Sequence, residues 1–425
     1  MKRQILTMIL ASATVLPSLA QTESLKAYTL DECLEEVTKN NLQLRNADNQ
    51  VRMSAEQRKQ AFTGYFPTVS ATGGGFIANK GLIQMDLGVM SMSLAKNGIV
   101  GGVTAMQPVF AGGQIVNGNK LARVGEESSR LQRQLTENEV RLNAENYFWQ
   151  IVMLKEKLVT LDVLDKQLAT VLRDAQASVD AGLRNRNDLL QVKLRVNEVR
   201  TSRIQVENGL AVSRDLLAQV MGHAGEQVDA NASVATPKEP QQYYQPAESA
   251  VQQTSEYQLL DKQIEAGRLQ YRMAVGKNLP TVAVGGGYVY NNIMDKSQSN
   301  LMGMLTVSVP LSGWWGGSHD IKRQKIQMEN AVSDKQRQSE LLIIRIRKAW
   351  NDMTDAYRQL DIARESIEQS EENLRLNTDY YEAGTSSISD VLDAQSLYQQ
   401  SRDKYVEDYT NYEIKKREYL QATGR

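Results

Sequence analysis

The sequence predicts a mainly helical fold with a few membrane β-strands, built from a unit of two strands and a long helical hairpin that occurs twice. Three observations predict this fold: an internal duplication, a long coiled-coil pattern, and short segments in which apolar and polar residues alternate. Because four strands are too few to close a membrane barrel, the fold is expected to be completed only by oligomerisation.

The N-terminus has the pattern of a secretory signal peptide over residues 1–20. Lys2 and Arg3 precede an apolar run that ends in the small-residue motif Ser18-Leu19-Ala20. The run is short, Pro17 interrupts it, and no stop-transfer segment follows, which argues against a membrane anchor. We therefore expect cleavage near Ala20 and export of the mature chain.

Charge and cysteine content exclude several classes. Lys and Arg number 49 against 50 Asp and Glu, giving a formal net charge of −1, so nothing indicates nucleic-acid binding. Cys33 is the only cysteine, so it forms no internal disulfide, and it lies too far from the cleavage site to accept a lipid there. A small buried residue on a short helix is the expected role of Cys33.

The duplication is visible in two alignments of the chain with itself. The run Pro67-Thr68-Val69 matches Pro280-Thr281-Val282 at an offset of 213, and a later stretch matches at a constant offset of 202. The matched pairs of the later stretch are Pro108 with Pro310, Gly182 with Gly384, Asp188 with Asp390, Arg200 with Arg402, and Gly222 with Gly424. Two copies of one unit are therefore joined by a proline-containing segment.

These alignments set the predicted organisation. The first repeat spans residues 21–222 and the second spans 257–425, with an equatorial connecting segment at 223–256. Short helices are expected before the strands of the first repeat, and one helix before those of the second. The predicted strands lie at about 67–79, 98–108, 280–292 and 300–310, and the predicted helical hairpins at about 116–221 and 320–422.

A coiled-coil seam predicts the long helix of the second repeat. Between Gly317 and Gly424 the sequence has no proline and one glycine, Gly384, so a helix can run unbroken to that glycine. A helix from 320 to 382 would be roughly 95 Å long at 1.5 Å per residue. Seam residues recur at steps of four and three, with Ser370 as the one break: Leu342, Ile346, Ala349, Met353, Ala356, Leu360, Ala363, Ile367 and Leu374.

Period-two alternation predicts the strands. Leu305, Val307 and Val309 alternate with Thr306 and Ser308, which suits a barrel wall with one apolar face. Two soluble hairpins capping a helical domain are the alternative. A dimer would give eight strands and a filled barrel, whereas a homotrimer gives twelve strands with an open lumen above a twelve-helix cylinder.

The chain resembles the TolC-like outer membrane efflux protein family, the outer membrane factors. The residues that carry the resemblance are Leu30-Asp31-Glu32-Cys33-Leu34 with Asn41, Phe66-Pro67-Thr68-Val69, and the run from Ala383 to Ala394. The resemblance implies a homotrimeric, passive export duct of a tripartite efflux or type I secretion system. It also implies a barrel in outer-membrane lipid of a Gram-negative bacterium, docked by a periplasmic adaptor and an inner-membrane transporter.

The resemblance also implies a periplasmic gate where the hairpins turn. Asp390 and Asp393 match the family's pair of aspartates at the constriction, and Tyr381 and Asp188 match positions that bond between coils in the closed state. Ser386 stands where well-known members carry an arginine, for which Arg184 or Arg186 is a candidate substitute. Helix capping is the alternative for Asp390 and Asp188, because Ser387 and Asn185 precede them at capping spacing.

The same turns resemble the family's adaptor-contact motifs. These motifs assign adaptor contact to Gly182, Leu183, Gly384 and Thr385. A left-handed helix stop alone would also explain both glycines.

Trp314 and Trp315 follow the last strand. They are expected either in an aromatic belt at the membrane interface or in packing at the strand-to-helix junction.

No enzyme motif accompanies these patterns, and no cofactor or metal is expected. The chain has two histidines, His223 and His319, and one cysteine, which is too few for a zinc cluster of Cys and His ligands, and neither histidine sits in a recognisable triad motif. No GxxxxGK phosphate loop occurs. The rival interpretation is a periplasmic coiled-coil scaffold or adaptor that does not span the membrane. Adaptors usually carry one hairpin between compact β-domains, whereas this sequence predicts two equivalent hairpins.

Overall fold

The structure is a computed structural model that describes residues 25–79, 83–86, 91–94, 96–293, 296–311 and 313–425. The predicted signal peptide, residues 1–20, and its cleavage near Ala20 lie outside these residues. Within them the chain is mainly helical with several strands, which confirms the coarse fold class.

Two long helical hairpins dominate the molecule. The first consists of α3 (Gln114–Asp180) and α4 (Arg186–Met221), and the second of α7 (Gly313–Glu382) and α8 (Ile388–Ala422). With 67 and 70 residues, α3 and α7 are each about 100 Å long. None of the described helices has an apolar stretch long enough to cross a membrane.

The predicted seam forms one buried side of α7. Ile346, Met353 and Leu360 are buried there together with Ala356 and Ala363. Ser370, where the apolar repeat breaks, is buried as well, and its hydroxyl donates a hydrogen bond to the Ile367 carbonyl at 3.1 Å. A polar residue is tolerated in the seam because its side chain is satisfied by its own helix.

Four strands form one antiparallel sheet across the two repeats. They are β2 (Thr68–Ile77), β5 (Asn97–Ala111), β7 (Thr281–Ile293) and β8 (Lys296–Ser308), in the order β2-β5-β7-β8. The contact between repeats is the pairing of β5 with β7. The outer strands β2 and β8 are the two edges of this sheet.

Two of the strands differ from the predicted bounds. Strand β5 continues past Pro108 to Ala111, and a register shift between Pro108 and Phe110 leaves Val109 as the extra residue of a bulge. A bulge is one of the places where a strand tolerates proline. Strand β8 lies at 296–308, earlier than the predicted 300–310, because it pairs with β7 from Ile293 with Lys296 onwards. Strand pairing therefore sets the ends of the strands, which the alternation of apolar and polar residues did not determine.

Shorter elements surround the hairpins. Helices α1 (Leu30–Asn40), α2 (Leu42–Phe62), α5 (Ala247–Ala250) and α6 (Ser255–Lys277) complete the helical set of the described chain. Strand β1 (Lys26–Tyr28) pairs in parallel with β6 (Val228–Ala230), and β3 (Ile83–Asp86) pairs with β4 (Ser91–Leu94) in the connection between β2 and β5. Cys33 is fully buried on α1, as expected.

The connecting segment at 223–256 packs on the middle of the long helices. Asp229 in β6 accepts an ion pair from Lys155 of α3 at 2.8 Å and another from Arg214 of α4 at 3.1 Å. On the other hairpin, the Tyr419 hydroxyl of α8 accepts a hydrogen bond from the Gln245 amide at 2.8 Å. The segment is thus tied to both hairpins.

The helices lie side by side in one layer with two free edges. Near the sheet the order is α2-α3-α6-α7, and in the distal half it is α4-α3-α8-α7. One edge therefore consists of α2 and α4, and the other of α7. In the chain, β2 follows α2 and β8 precedes α7, so each edge strand of the sheet is connected to an edge helix of the layer.

Candidate functional site

The two hairpin turns, which we call the tips, have the same backbone geometry. Gly182 and Gly384 adopt left-handed φ values of 70° and 77°. In each tip the amide one residue later donates to the carbonyl five residues back, from Leu183 to Ser178 and from Thr385 to Tyr380, at 2.9 Å. This is the Schellman arrangement, and open space surrounds both glycines, so φ alone requires glycine there.

The tips expose the residues predicted to contact an adaptor. Leu183 has 79% of its surface exposed, an unusual state for a leucine, and Thr385 and both glycines are exposed as well. Beside them the two hairpins share an apolar core that includes Leu189 and Val192 of α4 and Ile388 and Val391 of α8. The exposed tips therefore stand on a well-packed base.

Arg184 joins the two tips within one chain. Its guanidinium carbon lies 4.0 Å from the centroid of the Tyr381 ring, at the end of α7. Its Nη2 also donates to the Tyr381 carbonyl at 3.4 Å. The first hairpin thus contacts the second through a cation–π contact and a hydrogen bond.

Asp390 caps helix α8. Its carboxylate accepts hydrogen bonds from the Ser387 hydroxyl at 2.7 Å, the Ser386 hydroxyl at 2.8 Å and the Ser387 amide at 2.9 Å. The Ser387 hydroxyl in turn accepts from the Asp390 amide, which completes a capping box. These hydrogen bonds, led by that from the Ser387 hydroxyl, hold the pKa of Asp390 below its usual value.

Asp188 and Asp393 differ from Asp390. Although Asn185 and Asp188 have capping spacing, the Asn185 side chain makes no capping hydrogen bond, so the capping prediction is wrong for that pair. The favourable helix dipole remains available to Asp188 in the first turn of α4. Asp393 lies exposed one turn beyond Asp390 on α8. The bond between Tyr381 and Asp188 stays a prediction for neighbouring copies.

Both tryptophans belong to the first turn of α7, which begins at Gly313 and not near residue 320 as predicted. Gly313 and Gly317 lie against the side chain of Asn278, which leaves no space for a Cβ at either position. Trp315 has 71% of its surface exposed. The side chain of Trp314 lies outside the described residues.

The free edges of the helical layer carry exposed apolar residues. On α7, Ile326, Ile344 and Ile362 are 18 residues apart, which is five helical turns, so they lie on one face. We call this the α7 stripe. The α4 stripe is the corresponding exposed set on the other edge: Leu190, Leu194, Ile204, Val212 and Leu216. The sequence analysis missed both stripes, although the 18-residue spacing could have identified the first.

The sheet has two chemically different faces, since directly paired residues share a face. The apolar sheet face carries Val69, Val103, Val284 and Leu305. The polar sheet face carries Ser70 and Thr104, whose hydroxyls lie 3.0 Å apart, and it continues through Thr306 and Asn300. This division is the pattern of a wall with lipid on one side and water on the other.

Within the described ranges, no group of three or more His, Cys, Asp and Glu side chains could hold a metal ion.

One comparison with known proteins identifies a family. The chain matches the family model described as outer membrane efflux protein over residues 33–223 and 247–425. No match was found among curated protein sequences.

Solved structures match over nearly the whole chain. VceC, an outer membrane protein of Vibrio cholerae, is 12% identical with a TM-score of 0.79, and the match covers 93% of this chain and 96% of VceC. The CmeC outer membrane channel of Campylobacter jejuni is 15% identical with a TM-score of 0.79, covering 93% and 85%. The MtrE outer membrane channel of Neisseria gonorrhoeae, in its open state, is 11% identical with a TM-score of 0.74, covering 93% and 88%. At these identities the likeness shows the fold.

Proposed function

Since the chain belongs to the outer membrane efflux protein family, we propose that three copies form a passive export duct of a tripartite efflux or type I secretion system. The barrel lies in the outer membrane of a Gram-negative bacterium, and the helices extend into the periplasm. The observation that carries the proposal is the pair of edges in the described part of each copy, formed by β2 and β8 in the sheet and by α2, α4 and α7 in the helical layer.

The sheet edges are suited to closing a ring. Because β2, β5, β7 and β8 alternate in direction, β8 of one copy runs antiparallel to β2 of the next. Two copies would give an eight-stranded barrel filled by side chains, whereas three give twelve strands and an open lumen. In this ring the apolar sheet face meets lipid and the polar sheet face lines the lumen.

The helical edges support the same head-to-tail arrangement. The α4 stripe of one copy and the α7 stripe of the next are both apolar and lie on opposite sides of the layer. The leucines and isoleucines of the stripes are 37% to 66% exposed, so burying the exposed part of each contributes about 1 kcal/mol. Burying both stripes would close a twelve-helix cylinder below the barrel.

The gate lies at the tips. Three copies of Asp393 form a carboxylate ring that favours cations, with the capped Asp390 next to it. The closed state is held by the Arg184 contact with Tyr381 inside each copy and by Asp188 and Tyr381 between neighbouring hairpins. Each link is weak enough for a docking partner to open.

The exposed residues at the tips and at the junction of sheet and helices indicate what the duct contacts. The exposed Leu183 and Thr385, beside Gly182 and Gly384, are the surface for a periplasmic adaptor that couples the duct to an inner-membrane transporter. Trp315, exposed where the sheet meets the helices, lies at the lipid interface with Trp314. The duct itself performs no chemistry and uses energy supplied by its partners.

Fractionation and conductance together test the proposal. We expect the mature protein in outer membranes as a heat-stable trimer that forms channels in planar bilayers. A soluble periplasmic protein without channel activity would favour the rival scaffold or adaptor and refute the duct. As a matched comparison, Ile362→Glu in the α7 stripe and Glu371→Lys outside it separate trimer assembly from a general effect of charge.

A further inference from the structure

Methionines are concentrated in the part of the chain that forms the sheet. Seven of the 15 methionines lie in the two strand pairs or in the connections between their strands: Met85, Met90, Met92, Met106, Met294, Met302 and Met304. Three of these belong to the four-stranded sheet itself, namely Met106 on β5 and Met302 and Met304 on β8.

All three sheet methionines lie on the polar sheet face. Met106 pairs with Gly285, Gly285 pairs with Met304, and Met302 stands two residues from Met304 on the same strand. In the described strands the apolar sheet face carries valine, leucine, isoleucine and tyrosine but no methionine. Membrane burial therefore does not explain where the methionines are.

Glycine brings the thioethers together. Gly285 and Gly287 place no side chain on β7 between β5 and β8. A Cβ on Gly285 would collide with the Met106 sulfur. The Met106 side chain thus leans over Gly285 towards Met304. Because directly paired strand residues are about 5 Å apart at Cα, two such steps separate Met106 from Met304 by about 10 Å, which flexible methionine side chains can bridge.

The residues around the three sheet methionines indicate which kind of ion they would bind. The polar-face residues of the described strands include hydroxyls and amides but no carboxylate, imidazole or thiol. Met302 and Met304 are 42% and 38% exposed, so their sulfurs are accessible. Thioether sulfur is a soft ligand that binds Cu(I) in preference to the hard cations bound by oxygen.

We propose that Met106, Met302 and Met304 form a thioether site in each copy that binds a soft monovalent cation, Cu(I) or Ag(I). The placement of this site in the lumen rests on the proposed duct, whereas the grouping of the three residues lies within one chain. The site is separate from the carboxylates at the tips, which favour cations without preference for soft ones.

Silver nitrate in chloride-free buffer is the probe. A Cys33→Ala background removes the one thiol that could bind silver, and equilibrium dialysis of purified trimer measures the bound ion. We expect one Ag(I) per chain with a sulfur-only coordination shell in X-ray absorption. Replacing the three methionines by leucine, which preserves volume, should lower the affinity by about tenfold or more.

The matched control replaces three helix methionines, Met53, Met273 and Met328, by leucine and should bind silver as the background does. Equal binding by the Met106/Met302/Met304 variant, or no binding by trimer that forms channels, would overturn the thioether site and leave the duct intact. Absence of trimer and channels in the background protein would instead contradict the duct. The single variants Met106→Leu and Met304→Leu keep the test decisive if the triple variant does not assemble.

Discussion

Replacing Arg184 by alanine should open the gate without dissociating the trimer. Arg184 contacts Tyr381 through its guanidinium at 4.0 Å from the ring centroid and through a hydrogen bond to the backbone carbonyl at 3.4 Å. The residue lies on the turn of the first hairpin, away from the α4 and α7 stripes that we assign to assembly. The substitution therefore removes a link between hairpins and leaves the interface between copies unchanged.

The magnitude follows from the contact. A partly exposed cation–π contact contributes about 1 kcal/mol. Three symmetric copies would lose about 3 kcal/mol, which corresponds to roughly a hundredfold shift of the equilibrium towards the open state. We expect larger single-channel conductance or longer open times in planar bilayers for Arg184→Ala than for the parent protein.

Tyr381→Phe is the matched comparison. It keeps the ring beneath Arg184 but removes the hydroxyl on which a bond to Asp188 depends. If Arg184 is the dominant link, Tyr381→Phe should change the conductance less than Arg184→Ala does. Unchanged conductance and open times of an intact Arg184→Ala trimer would refute the assignment of Arg184 to the closed state.

Three further predictions concern the cap, the pH dependence and the edges. Asp390→Ala should speed amide hydrogen exchange in the first turn of α8. Asp393→Ala should leave hydrogen exchange unchanged but reduce the cation selectivity measured from reversal potentials. The opposite result would assign the cap to Asp393 and the selectivity to Asp390. The Glu36 carboxylate, 3.1 Å away, raises the pKa of His223 above 6.5. Stability from this pair is full at lower pH and lost as pH rises through the raised pKa, so the melting temperature should fall there, but not in His223→Gln. Ile362→Glu should abolish the trimer on size-exclusion chromatography, and an intact trimer would exclude the α7 stripe from the interface.

Local patterns determined much of this molecule. The two hairpins follow from the 202-residue offset, from the apolar seam and from long stretches without proline, and the tips follow from Gly182 and Gly384. The cap at Asp390 was one of two roles that the sequence allowed, and both capping residues are within one helical turn. Such features depend on neighbours three to five residues apart, which the sequence displays directly.

Only the tertiary structure decided what depends on residues far apart in sequence. Pairing of β5 with β7, the order of helices in the layer and the contact of Arg184 with Tyr381 each join the two repeats. Likewise, the Asn278 side chain, at the end of α6, lies where a Cβ on Gly313 or Gly317 at the start of α7 would be. The sequence named Arg184 as a candidate but could not place it, because side-chain contacts across some 200 residues are set by packing and by strand register, and a duplicated pattern permits more than one arrangement of its copies.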